Sequence, residues 1–323
     1  MRNKILDNLA EILNLEYKLF SDTYGQKARE ARADVYGNGV FLTGILALSN
    51  YCVNDCLYCG LRSSSNVNRF RLDLAQLKTG VDYLSSLKIN RILLISGEDS
   101  GYNPDDITRI ISYAAEKGFY VTVGAGIFSD DRLKEFYKAG AREFCLKFES
   151  SNRELFRKVK PSSDFDERIK CLNSAAGAGY SIATGGIVGL EGQSLEDIIN
   201  DIKYTLTFNP GWIPIVPYLP APGTPMAETT KMGDVELTLK VISLFRLLLE
   251  DTKITAGQPA AGSKLGFADP AGNAAALSAG ANIFFVDATP AAVREDFSIV
   301  GGRALAAHDN ILKIIEDNGM RLL

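Results

Sequence analysis

Residues 41–60 read FLTGILALSNYCVNDCLYCG and join an apolar run to three closely spaced cysteines, Cys52, Cys56 and Cys59. The apolar run, residues 41–48, has the composition of a buried strand. Thiolates at such short spacings most often hold iron–sulfur clusters. Three thiolates on a 4Fe–4S cluster leave one iron open, and an open iron suits a cluster that binds a small molecule as well as carrying an electron.

Two other interpretations of the cysteine loop are weaker. A structural zinc site needs four ligands, usually from two paired hooks, and the remaining candidates, Cys145, Cys171 and His308, form no second hook. A disulfide framework is disfavoured because the chain is long, shows no secretory signal and has five cysteines, an odd number. We therefore expect a reducing, cytoplasmic location, and we expect Cys145 and Cys171 to be ordinary buried thiols.

The loop from Cys52 to Gly60 resembles the signature of the radical S-adenosylmethionine (radical SAM) enzymes, in which an aromatic residue, here Tyr58, precedes the third cysteine. The resemblance implies one 4Fe–4S cluster on the three cysteines and S-adenosylmethionine as the second cofactor. It also implies reductive cleavage of S-adenosylmethionine to a 5′-deoxyadenosyl radical, which then acts on a small molecule or a metal-cofactor precursor. An external reductant such as a flavodoxin or ferredoxin is the implied partner.

Length and composition fit one large α/β domain. The 323 residues accommodate a (β/α)8 TIM-type barrel over 36–323, preceded by a helical extension over 1–35. Asp7 and Glu11 argue against a transit peptide in that extension. The net charge of −4 and the pI near 5.3 disfavour wholesale binding of nucleic acid. No apolar stretch reaches the roughly 18 residues of a membrane span, so we expect no membrane partner.

Short apolar runs alternate with longer amphipathic segments along the chain. Strands are predicted near 42–48, 91–95, 120–124, 144–148, 181–187, 213–218, 253–256 and 283–286. Helices are predicted at about 73–88, 104–117, 130–139, 165–178, 195–208, 234–249 and 270–279. Eight is the number of parallel strands that closes a barrel of this kind.

In such a barrel the active-site residues lie at the carboxyl ends of the strands. The second predicted strand runs into Gly97 and Glu98, the fourth into Glu149, and the fifth into 186–188. As residues alone, these are also ordinary polar turns, helix caps or loop glycines. The resemblance implies more specific roles: Gly97 and Glu98 bind the amino group of the methionine moiety, and Glu149 accepts from the ribose hydroxyls. By the same resemblance Gly186, Ile187 and Val188 form, as a region, the strand edge that adjoins adenine.

Arg168 lies early in the predicted helix 165–178. A surface salt bridge is the simplest role for it and would contribute little to stability. The resemblance implies instead that its guanidinium binds the methionine carboxylate, for which the planar donor fork is well suited.

Within the superfamily, the whole chain resembles the group that contains biotin synthase, the iron-only hydrogenase maturase that acts in H-cluster assembly, and methylornithine synthase. The last two are the more similar. Ala183 stands where biotin synthase has a cysteine for a second cluster, so sulfur insertion is disfavoured. Pro214 stands where methylornithine synthase has an arginine, and 256–260 carries no acid. We therefore expect a rebuilt substrate pocket.

Six residues near predicted strand ends are candidates for contact with the substrate, although each could equally be a packing or solvent-facing residue. They are Tyr102, Tyr218, Gln258, Ser263, Lys264 and Asp287.

Two classes of function stay open at this point. One is a radical enzyme, including a methylornithine-synthase-like mutase, and the other is an iron–sulfur scaffold or electron carrier without turnover. The set Gly97, Glu98, Glu149 and Arg168 favours the enzyme, because a carrier has no need to bind an amino acid or a ribose.

Overall fold

The computed structural model describes residues 2–300 and 307–323. Eight parallel strands form its sheet: β1 Gly39–Ala47, β2 Arg91–Ile95, β3 Tyr120–Gly124, β4 Ala141–Cys145, β5 Ser181–Ala183, β6 Trp212–Ile213, β7 Lys253–Ile254 and β8 Ile283–Asp287. Their order is β7-β6-β5-β4-β3-β2-β1-β8, so each strand adjoins its neighbour in sequence and β8 adjoins β1. Thr255, directly after β7, pairs in parallel with Ile283 of β8 and brings the two ends of the sheet together. The fold is thus the predicted (β/α)8 barrel.

Helices precede the barrel and follow its strands. The amino-terminal extension contains α1 Arg2–Asp7, α2 Leu9–Asn14, α3 Tyr17–Phe20, a π-helical turn Ser21–Gly25 and α4 Gln26–Tyr36. The remaining helices are α5 Leu74–Ser86, α6 Pro104–Glu116, α7 Asp130–Ala139, α8 Arg153–Val159, α9 Phe165–Gly177, α10 Leu195–Thr207, α11 Pro225–Thr229, α12 Val235–Leu248, α13 Pro270–Ser278, α14 Ala291–Arg294 and α15 His308–Asp317. A 3-10 turn spans Gly266–Ala268, and a short strand β9, Arg321–Leu322, pairs with the start of β1. None of the helices in these described ranges is long and apolar enough to cross a membrane.

Side-chain caps explain where several helices begin. Asp73 accepts from the backbone N–H of Gln76, whose side chain accepts from the backbone of Asp73 in return, so α5 starts with a capping box. Ser194 and Asp197 form the same arrangement at α10. These pairs satisfy amide groups that the first helical turn leaves without partners.

Strands β4, β5 and β6 end earlier than the sequence pattern predicts. Strand β4 covers Ala141–Cys145 rather than 144–148, because its interior contains the buried charge of Glu143, which hides it from a search for apolar runs. Strands β5 and β6 continue beyond their ends only as isolated bridges, Glu149–Gly186 and Val188–Pro217. Proline lacks the N–H that a ladder needs, so the prolines after β6 keep that strand short.

The amino-terminal helices pack on α12. Lys240 of α12 donates to the carbonyl oxygen of Leu13 at 3.0 Å, and Arg32 of α4 donates to that of Leu277 at 2.8 Å. Because the extension covers its outer face, α12 is buried on all sides from Thr238 onward, and even Arg246 is fully buried and donates to the carbonyl of Gly280.

Polar residues fill the barrel interior at the amino ends of the strands. Glu143 accepts from the Thr122 hydroxyl at 3.0 Å and from the Ser181 hydroxyl at 3.4 Å. Its carboxylate also lies 3.5 Å from Lys253 Nζ and 3.8 Å from Arg91. We call these five residues the floor cluster, because they close the barrel opposite the cysteine loop.

Candidate active site

The loop that carries the three cysteines is held from three sides by backbone hydrogen bonds. Val53 N–H donates to the carbonyl of Glu98 after β2 at 2.9 Å, and Leu57 N–H donates to that of Val159 at the end of α8 at 2.8 Å. Gly60 N–H donates to the carbonyl of Ile299, beyond β8, at 3.1 Å. The loop is therefore fixed at the carboxyl end of the barrel, where active sites of this fold lie.

Two polar side chains shape this loop from within. Arg69 donates to the carbonyls of Leu61 at 3.0 Å and Arg62 at 2.6 Å. The Asn50 side chain is fully buried, donates to the carbonyl of Asp296 at 2.9 Å and accepts from the N–H of Phe70 at 2.7 Å. Irregular backbone of this kind is stable when buried carbonyls and amides find such partners.

Two glycines allow the loop to approach its neighbours closely. A Cβ on Gly60 would lie 2.0 Å from the carbonyl oxygen of Ser298. A Cβ on Gly97 would lie 2.4 Å from the carbonyl oxygen of Tyr51 and 2.6 Å from the Cβ of Cys52. Any side chain at either position would displace the cysteine loop.

Two of the three thiols have hydrogen-bond donors beside them. Cys52 Sγ accepts from the backbone N–H of Glu98 at 3.4 Å, and Cys56 Sγ lies 3.2 Å from Lys160 Nζ. Burial raises the pKa of Cys56 despite the opposing effect of Lys160, and burial with the neighbouring thiols raises the pKa of Cys59 to about 12. Burial thus favours the neutral thiols of Cys56 and Cys59, and ligation to a metal centre would release their protons.

The donor set fits a 4Fe–4S cluster. Cys52, Cys56 and Cys59 converge at the rim and are close enough for each to influence the charge of the others. Within residues 2–300 and 307–323 no three Cys, His, Asp or Glu side chains are placed to hold a single metal ion. A cluster requires only one thiolate on each bound iron.

Glu98 and Arg168 form an ion pair beside this loop. Arg168 donates to Glu98 Oε1 at 2.8 Å and to the carbonyl of Lys147, and its side chain is 7% exposed. Burial acts to raise the pKa of Glu98, but Arg168 and Lys160 outweigh it, so the net shift is downward. Two opposite charges thus stand next to Cys52, a suitable arrangement for the carboxylate and amino group of an amino acid.

Glu149 is the buried acid at the exit of β4. Its φ of +66° lies in the left-handed region, which a residue with a side chain adopts only at a cost. Its carbonyl accepts from Ile187 N–H at 2.9 Å and so fixes this turn. Its Oε2 lies 3.5 Å from Lys147 Nζ but accepts no hydrogen bond from the described residues. A buried carboxylate oxygen without a donor is an incomplete site that a ligand hydroxyl can complete.

The sequence analysis missed Asp201, which supports this turn from α10. One carboxylate oxygen accepts from the Ser151 hydroxyl at 2.6 Å, and the other accepts from the Gln193 amide at 3.1 Å. Burial raises the pKa of Asp201 to about 6. A signal was present, because Asp201 lies three residues after Ile198 and four before Thr205, both on the buried face of the helix.

A cavity of about 220 Å³ opens at the carboxyl end of the barrel beside Glu149. Of the predicted site residues, Tyr58, Glu149, Ile187 and Tyr218 line it. Pro214, which the sequence analysis singled out as a changed position of the pocket, also lines it. The lining residues that the sequence analysis did not identify are Ile45, Leu93, Ile95, Lys147, Trp212, Val216, Pro217, Leu219, Thr255, Phe267, Phe285, Ile299 and Val300. Lys147 and Glu149 are the charged residues among the described lining, which is otherwise mainly apolar.

The structure places the other substrate candidates away from this lining. Tyr102 donates to the carbonyl of Leu72 at 2.7 Å, and Gln258 donates to that of Ile215 at 2.8 Å. Lys264 is exposed, and the Ser263 hydroxyl accepts from the N–H of Leu265 at 3.0 Å. Asp287 accepts from the N–H of Thr289 at 2.8 Å. The loop that contains Ser263 and Lys264 contributes Phe267 to the cavity instead.

Gly186 and Val188 shape the cavity wall without lining it. Gly186 pairs with Glu149, and a Cβ on Gly186 would lie 3.0 Å from the Glu149 carbonyl oxygen. Val188 is buried in the core outside the barrel sheet, and its N–H donates to the carbonyl of Val216.

The two cysteines outside the loop, like the three in it, are free thiols. Cys171 is buried in α9, with its Sγ 3.6 Å from the carbonyl oxygen of Phe128. Cys145 packs inside the barrel among Leu93, Trp212 and Phe285.

Comparison with known proteins agrees with this geometry. The model of the Radical SAM superfamily matches residues 46–205. The [FeFe] hydrogenase maturase subunit HydE of Thermotoga maritima is 32% identical over 296 residues, which cover 91% of this chain and 83% of that protein. The 3-methylornithine synthase of Methanosarcina barkeri is 28% identical and covers 87% of this chain and 79% of its own length.

A solved structure carries the same fold. The crystal structure of methylornithine synthase (PylB) aligns over 98% of this chain and 94% of its own, with a TM-score of 0.85 and 26% identity.

Proposed function

We propose, from the premise that this chain belongs to the radical SAM superfamily, that it cleaves S-adenosylmethionine reductively and directs the product radical to a small molecule inside its barrel. The chain is a radical SAM enzyme related to the HydE maturase and to 3-methylornithine synthase. We infer the class of its substrate from the geometry of the site.

Cys52, Cys56 and Cys59 are the residues that would hold the cluster. When bound, the 4Fe–4S cluster and S-adenosylmethionine would supply the electron and the 5′-deoxyadenosyl radical, since cofactors carry this chemistry. The protein residues would bind and orient S-adenosylmethionine and would seclude the radical from water. Arg168 and Glu98 offer charges of both signs to the methionine end, and Tyr58, within the cysteine loop, lines the cavity.

The observation that carries the proposal is the incomplete hydrogen bonding of Glu149. Its Oε2 is buried at the wall of the cavity and accepts no hydrogen bond from the described residues. Ribose hydroxyls are donors of the right kind, and hydrogen bonds to a charged acceptor contribute about 1.5–3 kcal/mol each. A scaffold or electron carrier would gain nothing from a buried carboxylate on a strained backbone whose hydrogen bonding is incomplete.

The cavity interior favours a small and largely apolar substrate. Trp212, Pro214 and Phe285 line it. The Thr255 hydroxyl in the lining already accepts from the Trp212 indole N–H at 3.1 Å. Besides Glu149 and these two residues, the lining side chains with polar groups are Lys147, Tyr58 and Tyr218. Pro214 offers no charge where an arginine would hold an amino acid, so a lysine-like or ornithine-like substrate has no matching partner there. Apolar walls also keep water and stray hydrogen donors away from a radical.

We also propose an electron donor and a cellular location for the enzyme. A low-potential carrier such as a flavodoxin or ferredoxin would deliver the electron. The five free thiols agree with a reducing cytoplasm.

The test is anaerobic reconstitution with iron and sulfide, reduction with dithionite, addition of S-adenosylmethionine and detection of 5′-deoxyadenosine by mass spectrometry. We expect the nucleoside with the wild type and with Cys171→Ala, the matched control outside the loop. We expect neither cluster nor nucleoside with Cys52→Ala, Cys56→Ala or Cys59→Ala.

A wild-type protein that holds four irons and binds S-adenosylmethionine, yet releases no 5′-deoxyadenosine with or without a panel of small carboxylic acids, would contradict turnover. It would leave the cluster-carrying scaffold as the better description.

A further inference from the structure

Lys160 is a buried cation that the proposed reaction has not used. It follows α8, its residue is 5% exposed, and its Nζ lies 3.2 Å from Cys56 Sγ. In the described part of the chain, the ammonium forms no ion pair with a carboxylate within 4.0 Å and no hydrogen bond to any other group.

A buried ammonium is unfavourable without a counter-charge. The acids near Lys160 are already engaged, because Glu98 is paired with Arg168 at 2.8 Å and Glu149 lies beside Lys147 at 3.5 Å. A neutral thiol is a poor partner for a cation. A thiolate bound to iron carries negative charge and is a good one.

The backbone holds Lys160 in place. Its N–H donates to the carbonyl of Phe156 at 2.8 Å, and its carbonyl accepts from the N–H of Ser163 at 3.1 Å. The preceding residue, Val159, accepts from Leu57 in the cysteine loop. The cation therefore belongs to the same rigid frame as Cys56 and stays beside it.

We infer that Lys160 is the fixed counter-charge of the cluster and sets its reduction potential. This role rests on the proposed function in one respect, namely that the cysteine loop holds a cluster. A low-potential one-electron carrier donates one electron, which adds one negative charge beside Lys160. A positive charge at this position favours the reduced state and makes the electron easier to accept.

Lys160 acts through Cys56 and is a positioning residue, so its test must read the cluster and not only turnover. The variants are Lys160→Met and Lys160→Gln, which remove the charge, and Lys160→Arg, which keeps it. Lys158→Met is the matched control, because Lys158 is on the same segment, exposed, and paired with Glu191 at 3.4 Å. Iron content, the electron paramagnetic resonance signal of the reduced cluster and its midpoint potential are measured for each.

We expect Lys160→Met and Lys160→Gln to hold iron but to have lower midpoint potentials. At a fixed potential, the ratio of reduced to oxidised cluster should be at least tenfold smaller than in the wild type. For one electron, that ratio corresponds to a decrease in midpoint potential of about 59 mV. Lys160→Arg and Lys158→Met should stay near the wild type. Loss of iron in the Met and Gln variants, with retention of iron in the Arg variant, would support the same role. Iron binding would then depend on the positive charge at position 160.

An unchanged potential in a fully loaded Met or Gln variant would overturn the inference, and so would loss of iron in all three variants including Arg. The potential is measurable whether or not 5′-deoxyadenosine forms. A scaffold that never turns over would therefore refute the proposed function and still test Lys160.

Discussion

The two ends of the barrel interior both contain buried charge, and they differ in how completely that charge is paired. At the floor cluster, Glu143 is 1% exposed and has two hydroxyl donors and two cations around it. At the rim, Glu149 is also buried, yet its Oε2 accepts no hydrogen bond from residues 2–300 and 307–323, and its backbone is strained. The protein itself supplies the partners of Glu143, whereas under the proposed function a ribose hydroxyl supplies the missing partner of Glu149.

This difference has an energetic meaning. A fully paired buried network adds to rigidity, while an unpaired buried acceptor costs stability that only a bound partner returns. Changes at the floor should therefore affect folding, and changes at the rim should affect binding and chemistry. Four substitutions test that division.

The largest effect is expected from Gly97→Ala at the rim. The new methyl group would stand 2.4 Å from the Tyr51 carbonyl oxygen and 2.6 Å from the Cβ of Cys52, so the cysteine loop has to move. Displacement of about 1 Å can cost about 100-fold in rate, and we expect at least that loss in 5′-deoxyadenosine formation, with reduced iron content. The control is Gly177→Ala in α9, where an added Cβ meets nothing within 4 Å. Equal activity in the two variants would contradict the geometry of the loop.

The next effect is expected from Glu143→Ala at the floor. Removal of this carboxylate leaves Arg91 and Lys253 without their shared counter-charge, and breaking such a buried pair costs about 3–5 kcal/mol. Urea denaturation of the apoprotein should show the loss. Under the same conditions Glu149→Gln should leave the free energy of unfolding nearly unchanged. A floor variant as stable as the wild type would remove the distinction between the two ends.

Asp201→Asn tests the support beneath the rim through pH. The folded pKa, about 6, lies above the ordinary 3.8, so the folded state binds the proton more tightly. The contribution of Asp201 to stability is thus fully present below about pH 4 and is lost as the pH rises to about 6. We expect the free energy of unfolding of the variant to rise, relative to that of the wild type, by on the order of 2 kcal/mol between pH 4 and pH 7. Parallel pH profiles of unfolding would show that Asp201 is ionised throughout.

The smallest effect is expected from Glu149→Gln on the binding of S-adenosylmethionine. The amide keeps the size of the side chain but loses the charge that strengthens hydrogen bonds from ribose hydroxyls. We expect affinity to fall about tenfold, or about 1.4 kcal/mol, in anaerobic calorimetry of the reconstituted protein. Binding as tight as in the wild type would leave Glu149 without the proposed role.

Local sequence was enough to predict the cysteine loop, the number and order of the eight strands and the acid after β4, but not where β4, β5 and β6 end. These features depend on spacing within a few residues and on apolar periodicity, both of which are visible in one dimension. The end of the barrel that carries the candidate site could also be predicted, because all strands of a (β/α)8 barrel run in the same direction.

The charged residues of the interior could not be predicted from local sequence in the same way. Glu143, Lys160 and Asp201 look like surface residues in sequence, and each is buried because partners from distant parts of the chain surround it. The long loop after β7 shows the same limit, since Ser263 and Lys264 were the plausible choices and Phe267 is the residue that faces the cavity. Which residue of a loop points inward depends on backbone turns that residue type alone does not specify.

The contacts of the cysteine loop with the end of the chain have a consequence for biosynthesis. Asn50 and Gly60 bind the carbonyl groups of Asp296 and Ile299, more than 200 positions later in the sequence. A ribosome that adds roughly 5–20 residues per second takes on the order of 10 seconds or more to travel that distance. During that interval Cys52, Cys56 and Cys59 have left the ribosome without the segment that fixes them, so the loop reaches the shape described above only after residues 296–299 have been made.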